Sequence, residues 1–249
     1  LGVAEKRKKI EELSRKLAEA DGVVRKRLLA RMESDGSRKD RDGLPQPVSR
    51  WSFDKDLRDE IGSLHGEAKG TARVEGGALV LDGKTGFVLT APLTKTIKSR
   101  TLEAWVQLSS LDQKGGGVLG LQGLSGEPFD AIVYGEKESR RWMSGSSGHR
   151  RTSSFGGAEE KDAKSQFVHL AIVYHEDGTI IGYRNGRPYG KSYKTGFMAY
   201  GAGEHQVILG MRHGTSSDSK RMLAGRIDRA QLYDRAPVSY THLTLPTIE

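Results

Sequence analysis

From Trp51 to about Ala236 the chain repeats with a period of two, and no helical period runs between these residues. Successive side chains of a strand point to opposite faces, so alternating apolar residues put one face into a core and the other toward water. Trp51 and Phe53 alternate with polar neighbours, while ALVLDG at 78–83 and GFVLTA at 86–91 are short runs ending in turn residues. In TLEAWVQLS, Leu102, Ala104, Val106 and Leu108 take the core side and leave Glu103, Trp105 and Gln107 on the other face. FDAIVYG at 129–135, FVHLAIVYH at 167–175, TIIGYRNG at 179–186, QVILGMR at 206–212 and GRIDRAQLYDR at 225–235 continue the series. Short strands separated by Gly-, Asp- and Ser-rich turns predict an all-β antiparallel sandwich or barrel.

The turns have their own chemistry. His175–Gly178 joins two strands, and Asn185-Gly186 is the strongest hairpin signal, because both residues tolerate the positive φ of a type I′ turn. Gly115–Gly120 fits the Gly-x-Gly-x-x-Gly spacing, but a strand-like VLGLQG follows where dinucleotide binding needs a helix N-terminus. The run is therefore expected to be a flexible turn. Residues 136–166, rich in Ser, Gly, Lys and Arg, are expected to be mostly rim loop, including Gly145–Gly148, which lacks the spacing of a nucleophile elbow.

Outside the strands the pattern changes. Within residues 1–35, Ile10, Leu13, Leu17, Ala20 and Val24 follow helical 3-4 spacing, and Gly22 interrupts it. This segment is expected to end an upstream domain or to act as a connector. Residues 36–47 read as a linker, and residues 48–236 as the sandwich. VSYTHLTLPT at 238–247 resembles the translation of a transposase-based sequencing adaptor, so 237–249 are set aside as extraneous, and an open reading frame cut at both ends is expected.

Composition narrows the chemistry. The absence of cysteine rules out disulfide scaffolds, thiolate catalysis, Cys-ligated zinc and iron–sulfur clusters within these residues. No apolar stretch approaches the roughly 18–20 residues that span a bilayer. The net charge of +8 looks at first like a nucleic-acid footprint. Residues 1–42 hold 13 Lys+Arg against 9 Asp+Glu, however, so the remaining residues carry only four excess positive charges, a mixed surface rather than a basic one.

WSFD at 51–54, ALVLDG, TLEAWVQL, FVHLAIVYHEDGTIIGYRNGRPYG and GRIDRAQLYDRA together resemble the sequential strands of a laminin-G-like, concanavalin-A-like lectin/glucanase jelly-roll domain. The similarity covers about 48–236. Its most specific parts are the Tyr-x-Asn-Gly strand end and the late Gly-x-Ile-Asp strand. The wording FDAIVYGEKESRRWMSGSSGHRRT resembles one subgroup, large planctomycete-type multidomain proteins in which the domain often follows a cytochrome c-like region. That resemblance implies a secreted, periplasmic or cell-envelope location. No haem motif lies in this chain, so no haem function carries over. The family often carries calcium at the sandwich rim, and the resemblance offers Asp54, Asp82 and Asp228 as candidate ligands. Aspartates at strand ends also serve turns by bonding their own backbone.

Three functions are weighed on these residues. Retaining glycoside hydrolysis needs two carboxyl groups about 5–5.5 Å apart, and Glu103 is a lone carboxylate beside Trp105 on its strand face. The seven histidines are scattered and give no facial metal set. Tyr134, Arg140, Arg141, Trp142, His149, Arg150 and Arg151 combine aromatic rings that stack on sugars with guanidinium forks that grip carboxylate or sulfate. Two readings of that cluster stand: a recognition loop for an acidic glycan or protein, or Tyr134 and Trp142 plugging the core with the arginines solvated. As an alternative to recognition, Arg151 could pair with Glu136 or Glu138 and hold the loop. The leading expectation is a non-catalytic module that binds a glycan or an adjacent domain, through rim loops and sheet face, in a larger protein. A structural spacer and a glycoside hydrolase are the alternatives.

Overall fold

The computed structural model describes residues 45–236 together with Glu5, Lys9 and Glu12. The chain divides into two units, Leu1–Leu44 and Pro45–Glu249. In the first unit the three described residues have helical backbone and exposed side chains; the rest of the 1–35 segment, most of the 36–47 linker and the 237–249 segment lie outside the described residues.

The second unit is built on two antiparallel sheets. Its strands are β1 (Ser49–Trp51), β2 (Gly66–Lys69), β3 (Arg73–Glu75), β4 (Ala78–Asp82), β5 (Phe87–Pro92), β6 (Arg100–Leu108), β7 (Gly116–Gly123) and β8 (Phe129–Tyr134). They continue as β9 (Trp142–Ser146), β10 (Val168–Tyr174), β11 (Thr179–Arg184), β12 (Arg187–Pro188), β13 (Tyr193–Lys194), β14 (His205–Leu209) and β15 (Ala224–Tyr233). The larger sheet runs β12-β11-β10-β6-β15-β4-β3, with β1 added on β15 and β13 on β11; the smaller runs β2-β5-β14-β7-β8-β9. No described helix is long and apolar enough to cross a membrane.

Alternation explains the core. Leu102, Ala104, Val106 and Leu108 of β6 meet Leu170 and Ile172 of β10, Ile227, Ala230 and Leu232 of β15, and Leu119, Leu121 and Ile132 of the opposite sheet in one cluster. Each fully buried side chain of this kind contributes about 1.5–3 kcal/mol. The Asn185-Gly186 turn joins β11 to β12 with φ of 48° and 73°, as the type I′ reading requires.

Two expectations are corrected. The glycine run is not a turn: Gly116–Gly123 form the fully buried strand β7. Its glycines serve close approach, because a Cβ on Gly117 would stand 2.2 Å from the Cα of Arg212, where the connection between β14 and β15 crosses the strand. That connection is pinned by Gln122, whose side chain exchanges hydrogen bonds with the backbone of Gly214 at 3.0 and 2.8 Å. Residues 136–166, expected to be mostly rim loop, include one strand, β9, which pairs with β8 so that Trp142 faces Tyr134 across the ladder.

One buried ionic group ties the sheets together. Asp130 of β8 accepts from Arg100 of β6 and, at 2.9 Å, from Arg151. The Arg100 guanidinium lies 4.3 Å from the ring centre of Tyr174 and 4.7 Å from that of Tyr200. Arg151 is therefore held by Asp130 rather than by Glu136 or Glu138. Removing one member of such a buried group typically costs about 3–5 kcal/mol.

Candidate functional site

The aromatic and basic residues of 134–151 do not form one surface. Strand β9 turns Trp142 inward, where it is 3% exposed, and Tyr134 is 0% exposed. Their ring centres are 4.7 Å apart. The Tyr134 hydroxyl donates to the Leu111 carbonyl at 3.0 Å and the Trp142 indole Nε1 to Glu160 at 2.7 Å. The charged members diverge: Arg140 pairs with Asp112 at 2.6 Å, and Arg141 donates to the Gly157 carbonyl at 2.9 Å. His149 stands 3.3 Å from Glu136, which also takes Arg212 at 2.6 Å, and Arg150 is exposed.

Glu160 explains why the segment after β9 is ordered on the core. It accepts from Trp142, from both Nε and Nη2 of Arg184, and from the amides of Lys161, Asp162 and Ala163. Burial would raise its pKa, but the bonds from Arg184, Trp142 and the backbone prevail and hold the carboxyl down at about 2.

The three candidate calcium ligands do not converge; among the described residues no group of three or more His, Asp or Glu is placed to hold a metal ion. Asp82 closes its own turn, accepting from the amides of Lys84, Thr85 and Gly86, each at 2.9 Å, and from the Thr85 hydroxyl. Asp54 is exposed in the loop after β1, and Asp228 lies within β15. The Asp82 carboxylate is thus engaged by four donors of its own turn.

The outer face of the larger sheet does bring chemistry together. β6, β10 and β15 place His169 opposite Trp105 and Arg229 opposite Trp105, a cross-strand row of imidazole, indole and guanidinium. The imidazole is 4.4 Å from the indole, ring centre to ring centre, and the guanidinium lies 5.4 Å from the indole centre on its other flank. The neighbouring row runs Ala171, Glu103, Gln231 and Arg50. Glu103 is buried and accepts from His169 Nε2 at 2.7 Å, Gln231 Nε2 at 2.8 Å and the Tyr233 hydroxyl at 2.9 Å. Burial first, and the Glu103 charge second, push the Tyr233 phenol well above its ordinary range, so it stays a donor. Glu103 thus serves as the hub that orients its neighbours.

A bulge decides what stands beside Trp105. The pairing of β15 with β6 shifts between Ile227 and Arg229, leaving Asp228 as the extra residue. Ile227, Ala230 and Leu232 keep the core side, and Arg226, Arg229, Gln231 and Tyr233 share the outer one. Without the bulge, strict alternation would put Asp228 on that face next to the indole. Sequence reading had placed Glu103 and Trp105 on a common face but missed His169, Arg229, Gln231 and Tyr233. The strand register was the missing signal.

Comparison with known proteins fits the architecture. The family model described as concanavalin A-like lectin/glucanases superfamily, of the laminin G type, matches residues 82–239. Curated protein sequences give no significant match. Domain 4 of AbnA, a GH43 extracellular arabinanase from Geobacillus stearothermophilus solved in complex with arabinotriose, superposes with a TM-score of 0.62 at 21% identity, over 81% of this chain and 99% of that one. The Trypanosoma rangeli sialidase superposes with a TM-score of 0.57 at 16% identity, over 83% of this chain but only 36% of the sialidase. At such identities these likenesses speak for the fold alone. With two antiparallel sheets stacked on one apolar core and a family model covering most of it, the chain belongs to the concanavalin A-like lectin/glucanases superfamily.

Proposed function

We propose that the sandwich is a non-catalytic recognition module that binds a glycan on the outer face of its larger sheet, within a secreted or envelope protein. The observation that carries this reading is the row His169–Trp105–Arg229, in which a half-buried indole is flanked by two polar groups. An indole offers a large rigid apolar face for a sugar ring, while a few fixed polar groups orient the hydroxyls. The superfamily and the arabinotriose held by the AbnA domain support a sugar as the occupant.

The non-catalytic part rests on Glu103. Its two oxygens are engaged by three donors from one His, one Gln and one Tyr. Three donors converging on one carboxyl group suit an orienting role, whereas glycoside hydrolysis calls for a pair of carboxyl groups with separate roles.

A glycan array with the full chain, run with and without calcium and followed by calorimetric titration, tests the proposal. Binding that is lost in Trp105→Ala while the melting temperature moves by only a few degrees supports it. If the full chain binds no glycan in either condition, the spacer role takes its place. Turnover of an oligosaccharide that disappears in Glu103→Gln would make the module a hydrolase.

A further inference from the structure

Among the half-buried arginines of the described residues, ion pairing sets the outer face of the larger sheet apart. Seven arginines of the described residues are half-buried: Arg50, Arg141, Arg184, Arg212, Arg221, Arg226 and Arg229. Arg141, Arg184, Arg212 and Arg221 each stand within ion-pair distance of an Asp or Glu. Arg50, Arg226 and Arg229 do not, and all three belong to this one face, where β1 and β15 place them around Glu103 and Trp105.

Their hydrogen bonds leave capacity unused. Arg50 Nε donates to Gln231 Oε1 at 2.7 Å, and Arg226 Nη2 donates to the carbonyls of Glu75 and Gly76 at 3.1 and 3.2 Å. The Nε groups of Arg226 and Arg229 are buried and lack an acceptor. A guanidinium carries five donors in a fixed fork, and a donor withdrawn from water without an acceptor destabilises the fold. Three nearby carboxylates are committed elsewhere: Glu75 pairs with Arg73, Asp82 closes its turn, and Glu103 is engaged by His169, Gln231 and Tyr233.

Resting on the glycan reading above, we infer that the glycan is acidic, and that Arg226 and Arg229, with Arg50, receive its carboxylate or sulfate groups while Trp105 stacks on the ring. The guanidinium fork matches both anions bidentately, which a lysine or a neutral amide does not. Arg226 and Arg229 lie on one face only because of the bulge at Asp228, so the spacing of the two forks is set by the fold.

Titration of the full chain with four probes separates the outcomes: a neutral arabino-oligosaccharide, an oligogalacturonate, a chondroitin sulfate oligosaccharide and poly-glutamate. The inference expects at least one acidic sugar to bind about tenfold or more tightly than the neutral one. That preference should shrink as ionic strength rises from 0.05 to about 0.5 M, since salt screens such contacts. Arg229→Gln should weaken the acidic sugar about tenfold more than the neutral one, a difference of about 1.4 kcal/mol. Arg229→Lys, which keeps the charge but not the fork, should fall between. Whether galacturonate or sulfated sugar responds more identifies the anion. If neutral and acidic sugars bind alike and neither Arg226→Gln nor Arg229→Gln matters, the acidic-ligand inference fails while the glycan reading stands. If Trp105→Ala keeps all binding, both fail. Tighter binding of poly-glutamate than of either acidic sugar would replace the glycan with an acidic peptide.

Discussion

Trp142→Ala distinguishes a packing role from a recognition role for the most conspicuous aromatic in the basic segment. The indole is 3% exposed, packs on Tyr134 at 4.7 Å and donates to Glu160 at 2.7 Å. Truncating a buried tryptophan to alanine costs about 3–5 kcal/mol through lost transfer energy and the cavity left behind. Glu160 keeps Arg184 and three amides as donors, so the lost indole bond adds only about 1 kcal/mol. For a domain of this size each kcal/mol lowers the melting temperature by about 2–4 °C, which puts the expected drop at about 8–24 °C. Trp142→Phe, which keeps most of the ring volume, should lose only about 1–2 kcal/mol. Urea unfolding of the full chain followed by circular dichroism measures both variants, with an unchanged slope marking a true stability change. A loss below about 1 kcal/mol for Trp142→Ala, accompanied by lost glycan binding, would refute the packing role and return the indole to the recognition surface.

Two further predictions follow from single contacts. Because Glu160 is held at about 2, against 4.5 for a free side chain, its contribution is complete above pH 4.5 and is lost as pH falls toward 2, by up to about 3 kcal/mol. Urea midpoints of the wild type should therefore fall steeply between pH 4.5 and 2.5, and the slope should flatten in Glu160→Gln; parallel slopes would count against the assignment. Gly117→Ala should cost more than about 2 kcal/mol, since its Cβ would meet the Arg212 backbone at 2.2 Å, whereas Gly196→Ala, with nothing within 4 Å, should be near neutral in the same denaturation assay.

Part of the candidate site was legible and part was not. Alternation in TLEAWVQL puts Glu103 and Trp105 on the face away from Leu102 and Ala104, and the structure keeps them there. For Trp142 the sequence leaves a recognition loop and a core plug both open, and a five-residue strand that turns the indole inward decides for the core. The turn expected at Gly115–Gly120 is a strand instead, where glycine answers to a segment crossing at Arg212, roughly a hundred residues along the chain. Asp82 reads from the sequence both as a candidate calcium ligand and as a residue that bonds its own turn, and the turn bonds are present in the fold.

What the sequence alone determined is local: the period of two, the strand-ending turns and the type I′ hairpin at Asn185-Gly186, all set by side-chain alternation and backbone sterics within a few residues. What only the tertiary structure decided is which strands lie side by side and in which register. That pairing brings His169, Trp105 and Arg229 from three separated strands into one row, and the bulge at Asp228 selects a guanidinium rather than a carboxylate for its end. Register is a property of two strands at once, and a one-residue shift exchanges the faces of everything beyond it, so no single stretch of chain contains that information.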